Sequence, residues 1–205
     1  MKTVIIDYDA GNLANVYHAL LREGTEAEIT RDPETIRKAD AMILPGVGAM
    51  GDAMAHLRQY GLTELIREEV GRGKKLAGIC LGMQALFEVS EEGGQFPCLG
   101  FLPGKIEEIP AAPGRKVPHM GWNELEFRAP HWIARGLPPH PYVYFVHSYY
   151  KTPSDTADVI ASADYGVSIP AVVGNDSVIG LQFHPEKSGP VGAQLWRNIL
   201  EWFEK

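Results

Sequence analysis

The chain has 205 residues, of which 45% are hydrophobic and 22% are charged, a balance that is typical of a globular protein with one sizeable core. Its formal net charge of -7 argues against a nucleic-acid partner, which would require a clustered basic face. No apolar run is long enough to span a membrane and the first residues do not resemble a signal peptide, so we expect a single domain over residues 1–205 of a cytoplasmic protein.

The first half of the chain alternates strand and helix patterns. Short apolar runs bounded by turns predict strands, and apolar residues that recur on one helical face predict the helices between them. Units of this kind build a parallel sheet that is covered by helices on both faces. The predicted strands are residues 4–6, 28–30, 41–44 and 76–79, and the predicted helices begin near Gly11, at Asp32-Pro33 and near Leu62.

The second half of the chain has a different character. Residues 106–165 resemble strands that are separated by proline-rich turns, and helical periodicity returns only in the last fifteen or so residues. We therefore predict an α/β fold with a mostly parallel open sheet flanked by helices, and with antiparallel strands added in the C-terminal half. The final helix is defined by Val191, Leu195, Ile199, Trp202 and Phe203.

Cys80 lies in the most informative stretch of the chain, residues 78–82. Gly78 and Gly82 flank it as second neighbours, between an apolar strand and a helix predicted over residues 83–87, and this is the layout of a nucleophile elbow. A sulfur at a helix N-terminus is favoured as the thiolate, which is the nucleophilic form. The alternative is that Cys80 is a small buried hydrophobic residue.

The second cysteine, Cys98, has no such glycines around it and is interpreted as structural. There is no C-x-x-C pair and no pair of histidines at metal-ligand spacing, so we expect neither a metal nor a cofactor. Free thiols without an export signal fit a reducing cytoplasm.

His184 follows a strand-like run and precedes Pro185 and Glu186. Because the proline restricts the backbone around it, the Glu186 carboxylate can accept from one ring nitrogen while the other nitrogen is presented to a thiol. The alternative is a capping histidine beside a surface glutamate. No other histidine has a carboxylate so close in sequence, and for His147 we expect a supporting or packing role. The remaining histidines are His18, His56, His119, His131 and His140.

Acyl transfer also requires N–H donors for a developing oxyanion. Leu81 follows the nucleophile and is one candidate donor. Residues 45–48 offer another set, since two glycines at a strand end let the backbone approach a ligand. A simple tight turn or a phosphate cradle are the alternatives for residues 45–48, although the P-loop pattern is missing.

Together, residues 45–48, 78–84 and 184–186 resemble the class I (triad) glutamine amidotransferase family, over nearly the whole chain. The resemblance implies that Cys80 attacks the side-chain amide of L-glutamine, with His184 as the proton carrier and Glu186 as its orienting group. It further implies an oxyanion hole at Val47, Gly48 and Leu81, and glutamine contacts at Gly46, Gly48, Gln84, Ser148 and Tyr149.

Within that family, residues 118–123, 144–149 and 182–188 resemble the glutaminase subunits of imidazole glycerol phosphate synthases. This implies a heterodimer in which ammonia passes to a separate (β/α)8 cyclase subunit. For Trp122, Tyr142 and Tyr144, which the resemblance implies to contact the cyclase, ordinary strand packing is the alternative. The resemblance implies nine such contact residues in all. These residues are Gly11, Asn12, Asn15, His119, Met120, Trp122, Tyr142, Tyr144 and Lys187.

Other functions remain open at this point. The glutaminase of a different synthase would share the three segments, although residues 119–123 argue against it. A cysteine protease or a γ-glutamyl hydrolase would share the elbow but require a wider crevice. A non-catalytic relative that only binds a partner would have no reason to keep Cys80, His184 and Glu186.

Overall fold

The computed structural model describes residues 1–152 and 157–205. In the first half, strands and helices alternate as the sequence predicts. The strands are β1 Thr3–Ile6, β2 Ala27–Thr30, β3 Ala41–Gly46 and β4 Lys75–Cys80, and the helices are α1 Leu13–Arg22, α2 Pro33–Lys38, α3 Met50–Gln59, α4 Leu62–Gly71 and α5 Leu81–Gln84.

The second half is built mainly from strands. They are β5 Val89–Ser90, β6 Phe96–Pro97, β7 Lys105–Glu108, β8 His119–Glu124, β9 Glu126–Phe127, β10 Tyr142–His147, β11 Tyr149–Lys151, β12 Val159–Asp164, β13 Ser168–Gly174 and β14 Val178–Leu181. Helix α6, Gly189–Phe203, closes the fold. The part of the predicted strand region at residues 153–156 lies outside the described residues.

The central sheet has eight strands in the order β2-β1-β3-β4-β14-β13-β12-β9. Its first five strands are parallel, and the pairings from β14 to β9 are antiparallel. A two-stranded sheet, β10-β8, and a four-stranded sheet, β11-β7-β5-β6, complete the described part of the chain. The predicted fold class is therefore confirmed. The prediction that residues 1–205 form one domain stays a prediction.

Two apolar layers cover the central sheet. In β3, Met42 and Leu44 belong to the layer that contains α3 and α4, whereas Ile43 belongs to the layer that contains α1 and α6. This alternation follows from the two-residue period of a strand, and it explains why β3 is apolar throughout. None of the helices in the described ranges is both long enough and apolar enough to cross a membrane.

The helix predicted over residues 83–87 is wrong, because α5 is a single turn that ends at Gln84. The carbonyls of Ala85, Leu86 and Phe87 accept hydrogen bonds from the N–H groups of residues 99–101 instead of continuing a helix. Leu86 and Phe87 are nevertheless fully buried, so their apolar character reflects tertiary packing rather than one face of a long helix.

We expect Gly82→Ala to destabilise the protein severely. A Cβ at residue 82 would lie 1.8 Å from the carbonyl oxygen of Leu44, and neither backbone can move without breaking the β3–β4 pairing. Such overpacking against backbone should cost about 3 kcal/mol or more of the free energy of unfolding, measured by urea denaturation. Gly71→Ala is the control, since a Cβ there meets nothing within 4 Å. A Gly82→Ala variant as stable as the wild type would contradict the described turn.

Candidate active site

Cys80 ends β4 in a backbone conformation that is rare for a residue with a side chain, with φ 54° and ψ -108°. The chain reverses so sharply there that a Cβ on Gly78 would lie 2.6 Å from the carbonyl oxygen of Gly82. A strained strand-to-helix turn of this kind is what a nucleophile elbow requires. With only one helical turn after it, the elbow gives the sulfur neighbouring N–H groups rather than the dipole of a long helix.

His184 and Glu186 lie in the segment between β14 and α6, which contains a 3-10 turn at Pro185–Lys187. The Nδ1 atom of His184 is 2.6 Å from Oε1 of Glu186, and both side chains are almost completely buried. Asn12 donates from its side-chain amide to the same carboxylate oxygen, also at 2.6 Å. Because a carboxylate only accepts, Nδ1 of His184 carries a proton and Nε2 is the ring nitrogen that remains available to other groups.

Electrostatics at the pair favour a charged imidazolium. Burial lowers the pKa of His184, but the interactions with Cys80 and Glu186 more than offset this effect and raise the pKa to about 9. Burial raises the pKa of Glu186, and the adjacent His184 together with Asn12 outweighs it and holds that pKa below its ordinary value. Nε2 of His184 makes no hydrogen bond within the described residues, so it is available to the sulfur and to a ligand.

The sulfur of Cys80 opens into a pocket of about 370 Å³, within the size range of small-molecule sites. The side-chain amide of Gln182 is 3.9 Å from this sulfur. The carbonyl oxygen of Val146 is 4.0 Å from the same sulfur. The pocket is lined by Val47, Gly48, Cys80, Leu81, Gln84, Glu92, Pro118, Val146, His147, Ser148 and Tyr149.

Most of the residues predicted to contact glutamine meet in this pocket. Gly48, Gln84, Ser148 and Tyr149 line it, but Gly46 does not. Gly46 is buried beneath the pocket wall, where a Cβ would lie 2.2 Å from the hydroxyl oxygen of Tyr8. Close packing therefore requires a glycine at residue 46, and its role as a ligand contact stays a prediction.

Glu92 is a pocket residue that sequence reasoning missed. Its Oε2 atom accepts the N–H of Met50 at 2.7 Å, which caps the start of α3. It is the one carboxylate among the residues that line the pocket, and burial raises its pKa above the ordinary value. Glu92 lies in an acidic, glycine-rich loop after β5, and nothing in that local pattern distinguishes it from a solvated turn.

The predicted oxyanion residues border the same pocket. Val47 and Gly48 follow β3 directly, and their N–H groups make no hydrogen bond to other described residues. The Tyr8 hydroxyl donates to the carbonyl of Pro45 at 2.7 Å and so anchors the start of this segment. Leu81, the first residue of α5, also lines the pocket and immediately follows the sulfur-bearing residue.

Four of the nine predicted interface residues lie on one face of the β8–β10 sheet. Strands β8 and β10 pair so that Trp122 lies opposite Tyr144, with ring centroids 6.1 Å apart. Met120, Trp122 and Tyr142 are 61%, 56% and 49% exposed, which is unusual for large apolar side chains. We call the surface formed by Met120, Trp122, Tyr142 and Tyr144 the outer face. Three other predicted residues are also exposed, namely Gly11, Asn15 and Lys187. The side chain of Asn12 instead donates a hydrogen bond to Glu186.

His119 is the exception among these residues, because its side chain is only 2% exposed. Successive residues of a strand point to opposite faces, so His119 lies behind Met120 and packs against Phe145 and Tyr165. Its ring also contacts the buried ring of His147. The prediction of His119 as a direct partner contact is therefore wrong. Burial lowers the pKa of His119 to about 4 and that of His147 to about 3.

The remaining candidates do not form a second site. Both cysteines are free, and Cys98 is buried with a pKa raised by that burial to about 11. Within residues 1–152 and 157–205, no three acidic, histidine or cysteine side chains are arranged to hold a metal ion.

Comparison with known proteins gives a consistent result. The family model described as "Glutamine amidotransferase class-I" matches residues 4–201. The chain is 47% identical to "Imidazole glycerol phosphate synthase subunit HisH" of Desulfitobacterium hafniense, over 97% of this chain and 93% of the relative. It is 50% identical to the protein of the same name from Lactococcus lactis, over 98% of both chains. A solved structure titled "Crystal structure of glutamine amidotransferase" matches with a TM-score of 0.78 and 26% identity, over 98% of this chain and 99% of the other.

The two buried histidines make the protein sensitive to mild acid. Above about pH 6.5 both rings are neutral in the folded and the unfolded chain, so their contribution does not change with pH. Below that pH only the unfolded chain takes up protons, because the folded pKa values are lowered to about 4 and about 3. The free energy of unfolding should then fall by up to about 1.4 kcal/mol per ring and pH unit.

We expect this fall between pH 7 and pH 5 to be smaller in His119→Phe than in the wild type, because the variant retains a stacked ring without a titrating group. Urea denaturation at the two pH values measures it. His56→Phe, a change at a half-buried ring on α3, is the control for replacing a histidine by phenylalanine elsewhere in the chain. An equal fall in His119→Phe and in the wild type would show that His119 titrates alike in both states.

Proposed function

Because the chain belongs to the class I glutamine amidotransferase family, we propose that it is the glutaminase subunit of imidazole glycerol phosphate synthase, an enzyme of histidine biosynthesis. Relatives that are 47–50% identical over nearly their whole length carry that subunit name. The observation that carries the proposal is the elbow at Cys80, which borders an amino-acid-sized pocket beside the buried His184–Glu186 pair. The reaction is hydrolysis of L-glutamine to glutamate and ammonia.

In the first half of the reaction, the Cys80 thiolate attacks the side-chain amide carbon of glutamine. The amide oxygen becomes an oxyanion, which the N–H groups of Val47 or Gly48 and of Leu81 stabilise. The imidazolium of His184 gives a proton to the departing nitrogen, the C–N bond breaks, and ammonia leaves. The product on the enzyme is a γ-glutamyl thioester of Cys80.

In the second half, neutral His184 takes a proton from water, and the resulting hydroxide attacks the thioester carbon. The C–S bond then breaks, glutamate leaves, and the thiolate–imidazolium pair is restored. Glu186 orients His184 through Nδ1 and stabilises its charged form. Asn12 in turn fixes the carboxylate of Glu186.

Substrate recognition follows from the polar groups of the pocket. The Glu92 carboxylate is suited to the α-ammonium group of glutamine, since one of its oxygens is left after the other accepts from Met50. Gln84, Ser148 and Tyr149 supply neutral donors and acceptors around the rest of the amino acid. This arrangement favours a ligand with a free α-ammonium group, so it disfavours peptides whose amino group is blocked.

The ammonia is used by a separate (β/α)8 cyclase subunit, with which the chain forms a heterodimer in the cytoplasm. Ammonia that escapes into water is protonated and lost as a nucleophile, so an enclosed route to the cyclase is an advantage. The outer face and Lys187 form the contact surface in this proposal. Large exposed aromatic residues beside a catalytic pocket are typical anchors of a protein interface.

We expect Cys80→Ala to abolish glutamine-dependent synthesis in the complex with the cyclase, because no thioester can form. Synthesis from added ammonium salts should stay within about twofold of the wild type, since the cyclase site is unchanged. Cys98→Ala, which also removes a buried thiol, should retain glutamine hydrolysis. Equal loss of the glutamine-dependent and the ammonia-dependent reactions in Cys80→Ala would contradict the division of labour.

We expect Trp122→Ala to weaken assembly with the cyclase at least about tenfold, because it removes a half-exposed aromatic anchor. Titration calorimetry or analytical ultracentrifugation measures the dissociation constant. Ile29→Ala is the matched control, an exposed apolar side chain on β2 outside the outer face. If both variants bind the cyclase as the wild type does, the outer face is not the interface.

A further inference from the structure

A series of hydrogen bonds begins at the half-buried Asn123 on β8 and continues into the interior. Its Oδ1 accepts the N–H of Glu124 at 2.8 Å, while its Nδ2 donates to the carbonyl of Asp164 at 2.8 Å. These two contacts fix which end of the amide carries the hydrogens. The same Nδ2 lies 3.3 Å from Nε2 of His119, so Nε2 of His119 is the acceptor of this contact.

In the next two contacts, donors and acceptors follow the same order along the series. Nδ1 of His147 is 2.8 Å from the carbonyl oxygen of Tyr149, which can only accept, so Nδ1 of His147 carries a hydrogen. Nδ1 of His119 is 3.0 Å from Nε2 of His147. A neutral His147 accepts there and His119 donates, which agrees with the assignment made from Asn123. Both rings are therefore neutral and protonated on Nδ1.

The series continues into the pocket. The Tyr149 carbonyl that accepts from His147 also accepts Nε2 of Gln84 at 2.8 Å. Gln84 donates in addition to Oε1 of Gln182 at 3.0 Å, and Nε2 of Gln182 approaches the sulfur of Cys80 at 3.9 Å. His119, His147, Gln84 and Gln182 are all buried. One uninterrupted path of donors and acceptors thus joins β8 to the nucleophile.

We propose that His119 and His147 are positioning residues for glutamine, which hold the Tyr149 carbonyl and with it the Ser148–Tyr149 wall of the pocket. The proposal rests on the function proposed above and deepens it. In this role neither ring needs to touch the reacting atoms. His119 thus has a positioning role on the buried side of β8 rather than a direct contact with the partner. Strand β8 therefore presents Met120 on the outer face and His119 on the opposite, buried face.

Packing alone does not account for the two rings. His119 is stacked between Phe145 at 4.5 Å and Tyr165 at 4.0 Å, an environment that phenylalanine would fill equally well. A buried imidazole is costly unless its polar atoms are paired, and here all four ring nitrogens have partners. A fully satisfied polar network specifies one arrangement of the segments it joins, which an apolar core does not do.

Two variants of His119 separate positioning from packing. His119→Phe keeps the stacked ring and loses the donor, whereas His119→Asn keeps a donor at the place of Nδ1 and loses the stacking. In the complex with the cyclase, we expect His119→Phe to raise the KM for glutamine about tenfold with kcat within about twofold of the wild type. His119→Asn should be less stable to urea but have a KM close to that of the wild type.

The result that would overturn the proposal is the reverse order. If KM follows stability, so that His119→Asn is the impaired variant and His119→Phe binds glutamine normally, His119 is a packing residue. His56→Phe controls for the loss of a histidine elsewhere. If His119→Phe does not fold, the KM of His119→Asn decides, because a value raised about tenfold in a variant that keeps the donor contradicts positioning through that hydrogen bond.

Nitrogen NMR of the free chain tests the same assignment without glutamine or a partner. At neutral pH, the ring nitrogens of His119 and His147 should show hydrogen on Nδ1 and none on Nε2. Hydrogen on Nε2 of His147 would overturn the proposal. A wild-type complex that does not hydrolyse glutamine would refute the proposed function instead, and would leave the NMR result unchanged.

Discussion

The carbonyl oxygen of Leu44 lies where the Cβ of any residue other than glycine would be at position 82. The missing Cβ allows the chain to turn back on β4 at once, with Cys80 in a strained backbone conformation at the apex of the turn. The sulfur therefore lies at the carboxyl end of the central strand β4. The segments that follow the neighbouring strands β3 and β14 lie next to it. The N–H groups proposed as oxyanion donors lie in the first of these segments and the imidazole in the second, as expected for a site at the carboxyl ends of parallel strands.

Buried polar contacts then fix the groups around the sulfur. Glu186 and Asn12 leave His184 one free ring nitrogen, and Gln182 and Gln84 connect the sulfur to the Tyr149 carbonyl. Each of these side chains makes at least one hydrogen bond, while Nε2 of His184 is left without a partner within the described residues. The site is therefore specified by hydrogen bonds as much as by shape, and its charged groups are adjacent to a pocket that is largely apolar.

Much of this arrangement is predictable from the sequence, because its signals are local. The glycines around Cys80 report the turn directly, and the proline between His184 and Glu186 restricts that segment to a few conformations. The features that sequence reasoning missed or misjudged depend on distant contacts. Leu86 and Phe87 resemble a helix, but their carbonyls pair with the N–H groups of residues 100 and 101, and Glu92 lies at the pocket with its carboxylate on the N–H of Met50. His119 is buried because of strand alternation, which a matching motif does not reveal.

The most direct test of the account is to trap the covalent intermediate. Wild-type chain in complex with its cyclase is mixed with glutamine, quenched in acid within milliseconds to seconds, digested, and examined by mass spectrometry. We predict a γ-glutamyl adduct on the peptide that contains Cys80, formed at a rate no slower than turnover. Turnover of glutamine with no adduct on Cys80 under any quench time, or with the adduct on Cys98, would contradict it.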